Sequence, residues 1–298
     1  MRQRLLVTFL VAGLVTSMPS AAHASFPGRN GKIAFARDGN IEVMRPDGSR
    51  ERVLPLGRGN VIEPSWSPSG SRLLFTCRPP KEDSEICVAR ADGSRRRVLT
   101  DNEVFDQQPS WSPDGDSVLF TRGEGPFAVA GANLIVLDLA TKAERTLLYR
   151  PEGINHPRWS PTSDEIVYAA TGSMGERDIF TTPSDGSGTE TNLTNSPETE
   201  TYPSWSPDGA LIVFDRSTDT SDSIFTMGSD GSDQTIIIRS GFLAAFSPNG
   251  RRIAYGDLVN GYDAVFTSRA TGGDRQRLTG PGDPAGGRGS FSPDWQPR

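Results

Sequence analysis

Away from its N-terminus this chain carries its apolar residues in short runs separated by turn residues, a pattern of strands rather than long helices. The runs recur in a fixed order. Variants of Pro-Ser-Trp-Ser-Pro-Asp-Gly occupy Pro64–Gly70, Pro109–Gly115, Pro157–Ser163 and Pro203–Gly209, and looser copies occupy Ala244–Gly250 and Gly289–Asp294. Their aromatics stand at 66, 111, 159, 205, 246 and 291, at intervals of 45, 48, 46, 41 and 45. A period of about 40 to 45 residues is the length of a four-stranded propeller blade.

The rest of each unit supports that reading. Ser-Pro-Asp-Gly suits a type I turn, with proline presetting φ at its second position and glycine closing it. An apolar run follows, and its aromatic lies nine residues after the first in each case: Phe75, Phe120, Tyr168, Phe214 and Tyr255. A third run (Ile86–Val88, Leu134–Val136, Ile179–Phe180, Ile224–Phe225, Val265–Phe266) leads in three units to Asp-Gly, a hairpin dipeptide. A fourth, such as Val98–Thr100, Leu193–Thr194 or Leu278–Thr279, closes the unit. Each repeat thus predicts four antiparallel strands, a to d. At the N-terminus Lys32–Ala36, Ile41–Met44 and Arg52–Leu54 read as strands b, c and d without an a. At the C-terminus Gly289–Pro293 reads as an a with nothing after it, and Trp295 falls outside the repeat phase, placed to cover the closing blade. Joining the two ends makes an all-β, six-bladed β-propeller whose ring is closed by a C-terminal innermost strand, which covers the strand edge that an open ring would expose.

The first residues stand apart from this pattern. Arg2 and Arg4, the apolar Leu5–Val15 and the Ala22-His23-Ala24 cleavage site predict a secretory signal peptide over 1–24, with the propeller over 25–298. Ser17, Pro19 and Ser20 interrupt the apolar stretch before the roughly 20 residues a membrane span needs. Cleavage takes the net charge from −6 to −8, because two arginines leave and no acid does, and it leaves His156 as the only histidine. So acidic a chain lacks the basic surface that nucleic acid requires.

The repeated Pro-Ser-Trp-Ser-Pro-Asp-Gly, the strand ending in an aromatic, the Asp-Gly hairpin and the Leu-Thr strand resemble the WD40-like repeat of TolB-type β-propellers. The resemblance covers essentially all of the chain after residue 24. It implies a bacterial periplasmic or secreted protein that binds partners through the loops of one face and the central channel. TolB itself carries an α/β domain before the propeller, and none is expected here.

Candidate chemistry is sparse. One histidine cannot build a His-x-x-x-His or three-histidine zinc site, and the chain contains neither a G-x-S-x-G elbow nor a G-x-x-x-x-G-K-[ST] phosphate loop. The residue two before each Ser-Trp pair enters the innermost strand: Glu63, Gln108, His156, Tyr202, Leu243 and Arg288. These would ring one mouth of the channel, and Glu63, Gln108, His156, Tyr202 and Arg288 form the candidate binding site. The repeat tryptophans read as packing between blades. The b–c segments vary most and share a face with the d–a loops, so that face is the expected binding surface. Acid-rich loops such as 101–106 and 215–222 lack the spacing of an EF-hand. Cys77 and Cys87 lie in one b–c hairpin, and in an exported chain they are expected to form a disulfide. No cofactor or metal is expected. The expected function is non-enzymatic: a monomer in the periplasm or medium, with no stable membrane span after cleavage, binding an envelope protein, peptide or glycan. The alternative is a hydrolase or lyase acting on an envelope or extracellular polymer, with carboxylates or His156 at the channel mouth.

Overall fold

The computed structural model describes residues 26–57, 59–78, 83–125, 131–218, 221–280 and 292–298. The segment expected to be a signal peptide, Arg288 and Phe291, and parts of three b–c connections (79–82, 126–130 and 219–220) lie outside them. The regular elements of the described residues are all strands, in six four-stranded antiparallel sheets. No helix among them is long and apolar enough to cross a membrane.

In ring order the first blade joins Asp294–Pro297, Asn30–Arg37, Asn40–Met44 and Arg52–Val53. The second contains Asn60–Trp66, Arg72–Arg78, Glu85–Arg90 and Arg97–Val98. The third contains Phe105–Trp111, Ser117–Gly123, Ala132–Asp138 and Glu144–Arg150. The fourth runs through Ile154–Trp159, Glu165–Thr171, Arg177–Pro183 and Thr191–Asn192. Thr199–Trp205, Leu211–Ser217, Asp222–Gly228 and Thr235–Ile238 make the fifth. Phe242–Phe246, Arg252–Val259, Tyr262–Arg269 and Gln276–Arg277 make the sixth.

The core lies between blades rather than at one centre. Six apolar clusters each join two neighbouring blades; Trp66, Leu73 and Phe75 of the second meet Ile41, Val43 and Leu54 of the first, and Met44 and Trp295 of the first meet Ala254 and Val265 of the sixth. The repeat tryptophans are buried in these seams. Trp111 Nε1 donates to the Ser65 carbonyl of the preceding blade, and Trp205 Nε1 to that of Arg158.

Ring closure uses a different segment from the one expected. In the other blades the repeat aromatic pairs with the residue two before the b-strand aromatic: Trp66 with Leu73, Trp111 with Val118, Trp205 with Ile212. Ile33 lies two before Phe35, and Trp295 pairs with Ile33. The closing strand is therefore Asp294–Pro297, and Trp295 is in phase with the repeat tryptophans. Phe-Ser-Pro-Asp-Trp holds two overlapping matches to the repeat, and the register against Ile33 selects the Pro-Asp-Trp one.

Several repeated residues owe their place to hydrogen bonds. The turn glycines Gly70, Gly115, Gly209 and Gly250 have φ between 63 and 75°, in the left-handed region where glycine carries no Cβ penalty. Ser112 Oγ accepts from Ser117 N at 2.8 Å across its turn, and Ser206 does the same for Leu211 at 2.9 Å. The Leu-Thr pair follows the paired part of strand d, where its threonine turns inward. Thr100 Oγ1 accepts from Ile86 N at 3.0 Å, Thr194 from Ile179 N at 3.0 Å and Thr279 from Val265 N at 2.9 Å, so each satisfies a strand-c amide. Cys77 and Cys87 form a disulfide across the b–c hairpin of the second blade, with Cα atoms 5.9 Å apart. Cys87 pairs with Phe75, so the two cysteines are diagonal neighbours.

Candidate functional site in the central channel

The innermost strand of five blades is interrupted at one place. Glu63-Pro64, Gln108-Pro109, His156-Pro157, Tyr202-Pro203 and Leu243-Ala244 each oppose a single residue, the b-strand aromatic, which makes five equivalent β-bulges. The first residue of each has φ between 53 and 59°. A left-handed conformation costs a residue with a Cβ about 1 to 2 kcal/mol, and four of the bulges then place a proline, which has no N–H to lose from the ladder. The geometry turns these side chains along the channel wall. Glu63, Gln108 and Tyr202 are each the fourth residue of their strand, so the ring lies part-way down the channel rather than at its rim. Arg288 is outside the described residues; by register from Trp295, Ser292 takes the equivalent position of the first blade.

The structure joins four of the candidate residues into an arc. Glu63 Oε2 accepts from Thr76 Oγ1 at 2.6 Å and from the Gln108 amide at 2.9 Å. Gln108 Oε1 accepts from the His156 amide at 2.8 Å, while its Nε2 lies 3.2 Å from His156 Nε2. The His156 and Tyr202 rings sit 3.9 Å apart, tilted by 38°. In the fifth blade Asp215 reaches the Leu243 amide of the sixth at 2.6 Å. Each bulge amide reached in this way is held by the preceding blade. Glu63 and Gln108 therefore hold adjacent blades together as well as lining the channel.

The hydrogen bonds also fix protons. A backbone N–H can only donate, so the Gln108 atom facing the His156 amide is its oxygen and the other end is its NH2 group. That NH2 donates to His156 Nε2, which makes the ring neutral with its proton on Nδ1. Burial, then the charges of Arg158 and Arg177, push the His156 pKa well below the ordinary histidine value. Nδ1 is buried and has no protein hydrogen-bond partner among the described residues. Burial likewise raises Glu63 and, strongly, Asp215, and it pushes Tyr202 up to about 12.

Two further channel residues emerge one step along the strands. Where Ser65, Ser110, Ser204 and Ala245 follow the bulge, the fourth blade carries Arg158 and the first carries Asp294. Those blades stand opposite each other in the ring. Arg158 donates to the Pro157 carbonyl at 2.9 Å and makes no ion pair among the described residues. Asp294 Oδ2 accepts from Trp66 N at 2.6 Å and Oδ1 from Trp295 N at 3.0 Å; burial, opposed by these amides and by Arg158, brings its pKa up to about 6. The sequence signal for both was the departure from Ser in Pro-Arg-Trp and Pro-Asp-Trp. Between them lies a cavity of about 40 Å3, lined by His156, Arg158, Tyr202, Ser204, Leu243 and Asp294 among others. No group of three or more His, Cys, Asp or Glu among the described residues is placed to hold a metal ion.

Six four-stranded blades around a polar, narrow channel define this molecule as a β-propeller of the repeat type built from Pro-x-Trp units. The TolB beta propeller domain model matches residues 126–297, more than half of the chain, and the chain belongs to that family. TolB from Acinetobacter baumannii is similar at 20% identity and a TM-score of 0.77, over 90% of this chain and 67% of that one. A putative TolB from Agrobacterium tumefaciens is similar at 19% identity and a TM-score of 0.65, over 82% and 88%. An oligogalacturonate lyase in complex with manganese is similar at 15% identity and a TM-score of 0.60, over 80% and 70%. At these identities the likeness is one of fold. No curated protein matches the chain.

Proposed function

We propose that the protein is an exported, non-enzymatic propeller that binds a protein, peptide or glycan of the bacterial cell envelope, with the central channel as part of the binding surface. The observation that carries this reading is the state of the channel's titratable groups. The His156 lone pair is taken up by Gln108, and Glu63, Asp215 and Asp294 each accept from backbone amides. A general base needs a free lone pair within reach of the proton it takes; His156, Glu63 and Asp294 are engaged by the scaffold, and Asp215, whose Oδ1 has no partner among the described residues, is pushed by burial towards its protonated, non-basic form. What remains is a set of fixed donors that can hold and orient a ligand. The similarity to the TolB structures supports a binding role; the similarity to the oligogalacturonate lyase motivates the test of the alternative.

The test is affinity capture from an envelope extract of the producing organism, run beside an assay for cleavage of extracellular polymers. A defined partner retained by wild type and lost when Tyr202 is replaced by alanine is the expected result. Polymer turnover by purified protein, with no partner retained, would overturn the reading. Export is checked by N-terminal sequencing of protein from the cell envelope or medium, which is expected to begin at Ser25.

A further inference from the structure

We propose that the channel cavity between His156 and Arg158 is a binding site for a single carboxylate group. The inference deepens the binding reading by naming the chemistry of the ligand, and it rests on that reading for the channel's role as a recognition surface.

Three independent features converge on one place. His156 Nδ1 carries a proton, as the Gln108 hydrogen bonds require, and this buried donor has no acceptor among the described residues. Buried donors without a protein partner are met by water or by a ligand. Two residues along the same strand Arg158 brings a guanidinium to the cavity wall with only one carbonyl contact among the described residues, where four other blades keep serine or alanine and the first carries Asp294. A cation at such a position costs desolvation unless an anion or water answers it, and nothing in the fold needs it, since serine serves in the second, third and fifth blades. Beyond them Arg177 stands near enough to act electrostatically on both His156 and Tyr202. The cavity thus presents a neutral N–H, a planar fork of charged N–H groups and an added positive field. That set of donors matches the two oxygens of a carboxylate.

The facing acids do not fill the site. Asp294 and Glu63 act on Arg158 through space, but neither lies within ion-pair distance, and both have committed oxygens to backbone amides. Size sets the rest of the specificity. A volume of about 40 Å3 holds on the order of three waters, which suits one carboxylate and excludes a sugar ring. The carboxylate can belong to a small free acid or to the end of an extended chain whose remainder lies up the channel, and the experiment separates the two.

Titration calorimetry would use the full chain with acetate, with N-acetylated triglycine, and with the same peptide as its C-terminal amide. Both acids are expected to bind and the amide to be silent. A peptide acid binding more tightly than acetate identifies a chain terminus as the source; equal binding identifies a free acid. Arg158→Ser, the residue that other repeats carry, is expected to weaken binding about tenfold or more while leaving thermal unfolding unchanged. His156→Phe, which keeps a ring beside Tyr202 and removes the N–H, is expected to weaken it several-fold. In NMR the His156 Nδ1–H resonance, assigned by its loss in that variant, is expected to move downfield with the acids only. Equal binding of acid and amide, or undiminished binding by R158S, would overturn the proposal. An R158S protein that still captures its envelope partner removes the carboxylate site and leaves the binding reading intact. Acid binding by a protein that captures nothing and cleaves polymer does the reverse.

Discussion

Replacing Asp294 by asparagine tests the electrostatics of ring closure. In the folded chain its carboxyl lies against the channel wall, and burial raises its pKa from an ordinary 3.8 to about 6. Between those values the unfolded chain has released the proton that the folded chain retains, so raising the pH through this window favours unfolding. The stabilisation is fully present below about pH 4 and is lost by about pH 6 to 7. A shift of this size corresponds to about 3 kcal/mol. The channel leaves Asp294 partly accessible, and solvent screening reduces the figure to roughly 2 kcal/mol. Asparagine keeps an oxygen for Trp66 N and gives up the contact to Trp295 N, a loss of about 1 kcal/mol that does not depend on pH. Urea unfolding of wild type and D294N, each at pH 4 and pH 7.5, isolates the effect as a double difference in which every other titrating group cancels. Wild type is expected to lose roughly 2 kcal/mol more than D294N between the two conditions. Equal losses would refute the reasoning, because they would show that Asp294 is ionised in the folded protein at the lower pH.

Three other outcomes follow from the geometry. Thr100→Val removes the acceptor for the buried Ile86 amide with little change in shape; it is expected to cost about 2 kcal/mol in chemical denaturation, with Thr100→Ser recovering most of it. Replacing Cys77 and Cys87 together by alanine reopens a short loop and is expected to lower stability by roughly 2 to 3 kcal/mol, while intact mass after alkylation of the unreduced wild type shows no labelled thiol. His156 is held neutral, its pKa pushed well below the ordinary value by burial, so its ring resonances are expected to stay constant through the region about pH 6.5 where an ordinary histidine titrates; a midpoint there would contradict the neutral ring.

The blades were legible because each is written out with the same turn, the same aromatic spacing and the same Leu-Thr pair. A type I turn and a nine-residue interval fix strand register locally, so Trp66 opposite Leu73 can be read from spacing alone. The closing strand could not, because Phe291 and Trp295 both fit the local pattern and only pairing with Ile33, on the far side of the sequence, distinguishes them. The channel shows the same division. That residues 63, 108, 156 and 202 form a ring followed from repeat phase, whereas their depth depends on where the strands begin. The link from Glu63 to the Gln108 amide depends on how two blades dock, which no single repeat encodes. Arg158 and Asp294 were visible as exceptions to a serine position, but their meaning requires knowing that the first and fourth blades face each other.

The closing strand has one more consequence. The Lys32 amide donates to Gln296 Oε1 across 264 positions of the chain, so the circle is closed by strands far apart in sequence. Until Asp294–Pro297 pairs, the blades form an open arc with an unpaired edge at Asn30–Arg37. The last strand is thus a latch, and a chain in which it is not set keeps a strand edge free to pair with a second copy.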